Sequence, residues 1–244
     1  MEALSPSLLA VEHDESSLKP GDRMLTLPDI GIGGVARWLD QVEILGPLPP
    51  VIAKTAGSRS IQLETTLFDL TSVAEGLHIR LFDKLPGPVS KQTARDIRRS
   101  VDKHLRDVGF DEADIAVAVA CLGGMTRTSY RDRLAQLRER TGDTVVEVFG
   151  TDFDRWSKAV TDCRNELAHR KIGTIRPETS GMYAAVVYSM RWFLVAVLLL
   201  ETGISQDSLH ERILQKQAYR LFTQRQARDM LPEVYGSSDE GAPD

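Results

Sequence analysis

Three side chains in the stretch Asp162-Cys163-Arg164-Asn165-Glu166-Leu167-Ala168-His169-Arg170 have the chemistry to act on a phosphodiester. An unperturbed imidazole titrates near pH 6.5, so His169 is suited to moving a proton at neutral pH. Arg164 is permanently cationic, and its guanidinium can grip phosphate oxygens in a fork and stabilise charge that grows in a transition state. Asn165 carries both a donor and an acceptor and can orient the histidine or the phosphate. The same residues also have a purely structural reading, with Arg164 bonded to a carboxylate and His169 capping helix carbonyls. Neighbouring Cys163 reads as a small buried residue rather than a reactive thiol.

The spacing constrains the geometry. On a regular helix Asn165 and His169, four apart, share a face, whereas Arg164 and His169 point about 140° apart. Arg164 then approaches the histidine only through its long side chain, through unwinding of the helix near its end, or from a second copy of the chain. Gly173 and Pro177, which follow closely, favour a helix stop in this region. No His-x3-His pair or acidic ligand cluster stands near the motif, so neither a metal nor another cofactor is expected.

The elements that must position these residues are helical. Aromatic residues are 6% of the chain, and alternating β-branched residues are confined to short runs such as Asp143 to Phe149. The class expected is therefore all-α. From Ile61 to Leu85, Leu63, Leu67, Leu70, Val73, Ala74, Leu77, Leu81 and Phe82 recur at three- and four-residue steps, a long amphipathic helix stopped by Pro86-Gly87-Pro88. Glu75 and His78 lie one turn apart on it, either as a pair supporting the candidate site or as a hydrogen-bonded pair within the bundle. Helices are also expected from Ser90 or Thr93 to Val108, over Asp111 to Leu122, and over Thr126 to Arg140. The first and last are rich in arginine, and Arg95, Arg99, Arg127, Arg131 and Arg170 are candidate RNA-binding residues if these faces line a groove. Thr151 or Asp152 caps the motif helix, Pro177 opens a long helix to Glu201, and Ser205 or Asp207 caps a last amphipathic helix reaching Phe222.

The chain is long enough, at 244 residues, for one main domain with arms. Residues 1–60 are expected as an N-terminal arm or the remnant of a larger domain, with a helix from about Gly34 bearing Val35, Trp38, Leu39 and Val42. Residues 61–228 are expected as the helical domain, and residues 229–244 as a disordered acidic tail. A formal charge of -5 argues against nonspecific nucleic-acid binding over the whole surface but leaves room for a local basic groove. Two cysteines are too few for a disulfide scaffold, and no secretory signal is visible, so a cytoplasmic location is expected. The apolar run Met182 to Leu200 is of membrane-spanning length but holds Arg191 near its middle, which favours a buried core helix over a membrane span.

Arg164-x4-His169, preceded by Phe153-Asp154-Arg155-Trp156 and Val160 and followed by a long apolar helix, resembles the HEPN domain family. Gly34-Val35-Ala36-Arg37-Trp38-Leu39, Leu63-Glu64 and Glu75-Gly76-Leu77-His78-Ile79-Arg80-Leu81-Phe82 resemble its ApeA-like branch, associated with anti-phage defence. The resemblance implies a HEPN-like helical bundle with an irregular N-terminal arm. It also implies a homodimer in which two motifs meet, with Arg164, Asn165 and His169 as catalytic residues of a metal-independent endoribonuclease. Its substrate would be RNA, transfer RNA among the candidates. The reaction implied is attack of a ribose 2′-hydroxyl on the adjacent phosphate. Longer members carry a large N-terminal domain, so a sensor domain is expected to be missing from this chain. The alternative is a non-catalytic helical module that binds RNA, a nucleotide or a protein partner.

Overall fold

The computed structural model describes residues 23–57, 62–82, 87–169 and 177–236, and the described residues contain helices and no strand. The short alternating run at Asp143 to Phe149 forms turns and a 3₁₀ turn, Val146–Phe149, instead of a strand. Val145, Val148 and Phe149 are nevertheless all buried. An isolated run of this length has no second strand to pair with, so burial of its apolar side chains dictates its path.

The centre of the bundle is α8 (Pro177–Leu200), packed most extensively against α3 (Leu63–Phe82). Tyr183, Val186, Val187, Met190, Phe193, Leu194 and Val197 of α8 are buried, as are Leu67, Leu70, Val73, Ala74 and Leu77 of α3. Helix α8 is apolar all round because other elements cover it on several sides, namely α2 (Leu48–Gly57), α6 (Tyr130–Thr141), α7 (Phe153–His169) and α9 (Gln206–Leu214). It is the one described helix long and apolar enough to cross a membrane, over Thr179–Leu200, and 67% of that window is buried inside the bundle.

Local signals fix several helix boundaries. Ser129 accepts from the Asp132 amide and Asp132 returns the bond, a capping box that starts α6 later than the Thr126 expected from the pattern. Asp152 Oδ1 accepts from the Asp154 amide at 2.7 Å and so opens α7. Ser90 caps α4 (Lys91–Val108), which ends on Gly109 at φ 93°, a left-handed conformation that favours glycine. Helix α4 packs chiefly on α5 (Glu112–Cys121), whereas α6 packs on α3, α7 and α8.

Both ends of the described stretch, from residue 23 and up to residue 236, are better packed than their composition suggests. The N-terminal stretch forms α1 (Leu27–Leu45) and α2 (Leu48–Gly57), and Leu45 and Ile52 join the core. Gly31, at φ 63°, interrupts α1, so its regular part begins close to the expected Gly34. Leu39 remains 65% exposed, so the apolar stripe expected on this helix is only partly covered. At the C-terminus the helix expected to reach Phe222 breaks into α9 and α10 (Gln217–Leu221), and a π-helical turn Phe222–Gln226, α11 (Ala227–Met230) and α12 (Pro232–Tyr235) follow. Leu231, Val234 and Tyr235 are buried, and the Tyr235 hydroxyl donates to the Val148 carbonyl at 2.6 Å. The packed chain therefore runs to Tyr235, past residue 229 where a disordered tail was expected. Burial of these three side chains holds the last turns in place.

Candidate functional site

Helix α7 is anchored from below by an aromatic cluster. Trp156 is fully buried, its ring lies 4.8 Å from Phe149 and 5.6 Å from Phe193, and its indole N–H donates to Ser189 Oγ of α8 at 2.9 Å. Val160 and Cys163 continue the buried stripe one and two turns further on. This stripe fixes the rotation of α7 and hence the direction in which each motif residue leaves it.

Arg164, next to buried Cys163, leaves the helix toward α3 and α6. One of its terminal nitrogens donates to Glu75 Oε2 of α3 at 3.2 Å, and its guanidinium carbon lies 4.8 Å above the Tyr130 ring of α6. Tyr130 in turn donates to the Thr71 carbonyl at 3.3 Å. The side chains of Arg164 and Glu75 are 34% and 37% exposed, so water screens the pair and its contribution to stability is at most about 1 kcal/mol. What the contacts do is orient the guanidinium.

A second arginine stands on the far side of Glu75. Arg133 lies 3.9 Å from Glu75 Oε1, donates from Nε to the Thr128 carbonyl at 3.3 Å, and reaches His78 Nδ1 at 3.3 Å. The His78 Nε2 is 2.5 Å from Gln136 Oε1, and its ring stacks on Phe82 at 5.1 Å. Arginine can only donate, and an amide oxygen can only accept. The pattern therefore requires a neutral His78 with its proton on Nε2. Burial pushes the His78 imidazole below its ordinary value. The Gln136 bond opposes that shift, the Arg133 cation adds to it, and the Glu75 carboxylate opposes it.

Glu75 and His78, expected as a pair, meet different partners. Glu75 touches Arg164 directly, while buried His78 bonds Arg133 and Gln136 and stacks on Phe82. Tyr130, Arg133 and Gln136 are the members of this cluster that the sequence did not single out. A hint was present in their one-turn spacing on α6, which puts Tyr130 and Arg133, three apart, within reach of the same neighbours.

His169 and Asn165 are exposed on the outer side of α7, which stays helical through His169. The unwinding that would let Arg164 approach His169 within one chain does not occur over this span, because the helix remains anchored by its buried stripe. Among the described residues Arg164 bonds Glu75, and no hydrogen bond joins it to His169. Glu166, one residue beyond Asn165, accepts from the Tyr183 hydroxyl at 2.8 Å and ties α7 to α8.

The expected RNA-binding arginines lie on more than one element. Arg95 and Arg99 are exposed on α4, with Arg99 3.5 Å from Asp96. Arg127 is exposed in the segment before α6. Arg131 donates to Ser157 Oγ at 3.2 Å and to the Asp154 carbonyl at 3.1 Å, so its fork joins α6 to α7. Arg170 lies outside the described residues. Cys163 is buried, and burial pushes its thiol up to about 12, away from any nucleophilic role. Among the described residues no group of three or more His, Cys, Asp or Glu side chains is placed to hold a metal ion.

An all-α bundle with an Arg-x4-His motif on an anchored helix is the arrangement that the resemblance to HEPN domains implied. A family model described as Apea-like HEPN matches residues 68–208, from α3 into α9. The match covers more than half of the chain, which therefore belongs to the Apea-like HEPN family. HEPN domains are generally of the ribonuclease type, so membership supports an RNA-related role. No curated protein and no solved structure matches the chain.

Proposed function

We propose that this protein is a metal-independent endoribonuclease of the HEPN type, acting in anti-phage defence as a cytoplasmic homodimer. The observation that carries the reading is the placement of the motif inside the family domain. Arg164 is held in place yet one-third exposed, and Asn165 and His169 stand on the solvent face of the same anchored helix. His169 exchanges the proton of a ribose 2′-hydroxyl as that oxygen attacks the adjacent phosphate. Arg164 stabilises the extra negative charge, and Asn165 orients the histidine or the phosphate. The bond from phosphorus to the 5′-oxygen breaks and that oxygen leaves with the proton His169 returns, giving a 5′-hydroxyl end and a 2′,3′-cyclic phosphate. Arg164 and His169 diverge along one helix, so a second copy of the chain completes the site with its own motif.

Purified protein incubated with RNA in EDTA is expected to leave cyclic-phosphate ends, and an all-deoxy oligonucleotide, which lacks the nucleophile, is expected to survive. Arg164→Ala and His169→Ala each abolish cleavage without changing the helical circular-dichroism signal. Cleavage at the parent rate by both variants would refute the assignment. One observation favours a non-catalytic RNA- or partner-binding module instead, namely that the bonds Arg164 makes within its own chain are those of a structural arginine. RNA binding without turnover in the parent protein identifies that case.

A further inference from the structure

The Arg164 guanidinium is restrained in two different ways. The Tyr130 ring supports its face, with the guanidinium carbon 4.8 Å from the ring centre, and Glu75 takes one terminal N–H at 3.2 Å. A ring under a guanidinium restricts its tilt, and a carboxylate at its edge restricts its rotation in the plane. Among the described residues one of its N–H donors is taken, by Glu75.

Glu75 is itself held. Arg133 stands 3.9 Å from its other oxygen, and Arg133 is fixed in turn by the Thr128 carbonyl and by buried His78. His78 is fixed by Gln136 and by stacking on Phe82. The series Gln136, His78, Arg133, Glu75, Arg164 therefore runs through buried His78 to a one-third-exposed guanidinium on the motif helix. Each member offers the donor or acceptor that the next one needs. A partly exposed ion pair adds little to stability, whereas a chain of fixed partners behind it sets direction.

We propose that Glu75, backed by Arg133 and assisted by the Tyr130 ring, is a positioning residue that fixes the Arg164 guanidinium for a phosphate of the RNA substrate. This inference rests on the ribonuclease reading above and deepens it. Glu75 does not touch the substrate and carries no proton in the reaction. Its effect is on the geometry in which Arg164 meets the transition state, so it acts on kcat more than on KM.

The test uses Glu75→Ala and Glu75→Gln in the full chain. Alanine is the better helix former and the position is 37% exposed, so both variants keep the fold. Glu75→Ala is expected to lower kcat about a hundredfold with KM within about threefold, the size of effect that misplacing a reacting group by about 1 Å produces. Glu75→Gln keeps an acceptor for Arg164 and recovers about a tenth of the parent rate. An independent arm needs no turnover. In nitrogen-15 NMR of arginine-labelled protein, the Arg164 side chain shows restricted guanidinium rotation in the parent and averaged signals in Glu75→Ala. Its signals also move on adding an all-deoxy oligonucleotide, and that response weakens in Glu75→Ala.

A Glu75→Ala enzyme that cleaves within about twofold of the parent, or Arg164 signals equally mobile in both proteins, would overturn the proposal. Arg164→Ala cleaving at the parent rate would instead overturn the ribonuclease assignment. The NMR arm separates the two failures, because it reports on the Glu75–Arg164 link whether or not RNA is cut.

Discussion

Replacing Trp156 by phenylalanine probes the anchor that sets the rotation of the motif helix. The indole is fully buried and donates to Ser189 Oγ, which itself donates to the Val186 carbonyl at 3.1 Å. Losing the indole N–H removes one buried hydrogen bond, with a net cost of about 1 kcal/mol. The phenyl ring is smaller by about 40 Å³, and at about 24 cal/mol per Å³ of residual cavity this costs about 1 kcal/mol more. The sum, about 2 kcal/mol, corresponds to a fall in Tm of about 4–8 °C for a chain of this size. Circular dichroism melts and urea titrations measure it. A double-mutant cycle isolates the bond: Ser189→Ala alone leaves the indole N–H unsatisfied, at a cost of about 1–3 kcal/mol, so Trp156→Phe combined with Ser189→Ala should cost less than the two single changes added together. Strict additivity, or a Trp156→Phe change below about 0.5 kcal/mol, would refute the reasoning that this contact holds α7.

The two cysteines should behave oppositely toward thiol reagents, with exposed Cys121 modified quickly and buried Cys163 only on unfolding; fast modification of two thiols in folded protein would contradict the packing. Burial raises the folded-state value of Cys163 above that of the unfolded chain, so above about pH 8.5 the unfolded state sheds a proton that the folded state keeps. Its contribution therefore lowers stability as pH rises, and urea midpoints between about pH 8 and pH 10 should fall less steeply in Cys163→Ala than in the parent. His78 works at the other end of the scale: with its folded value lowered by burial, the unfolded state binds the proton first as pH falls through about 6.5, so stability declines on acidification. His78→Asn should flatten the stability profile between about pH 7 and pH 5, and an unchanged profile would show that His78 is not held neutral.

Much of the architecture is local and could be read from one chain. The steps of three and four from Leu63 to Phe82, the Ser90 and Asp152 caps and the stop at Gly109 depend on neighbours within a turn or two, and they became α3, α4 and α7. Arg164 and His169 were legible as candidates because residue type and spacing are properties of the sequence itself. The burial of Cys163 was legible from the general habit of cysteine, and the structure places it on one stripe with Trp156 and Val160.

What a guanidinium touches is not a local property. Glu75 and Tyr130 meet Arg164 only because α3, α6 and α7 pack together, bringing residues 89 positions apart to 3.2 Å. The arginine-rich faces show the same limit: Arg131 looks like the other exposed arginines in sequence, yet its hydrogen bonds join α6 to α7. Tyr235 lay beyond the apparent end of the domain and is buried because its hydroxyl finds the Val148 carbonyl far away in the chain. Sequence determined the helices and the residues able to do chemistry, since backbone hydrogen bonding and side-chain type are short-range matters. Tertiary packing alone decided which of them face one another, because that depends on how buried stripes from distant segments fit together.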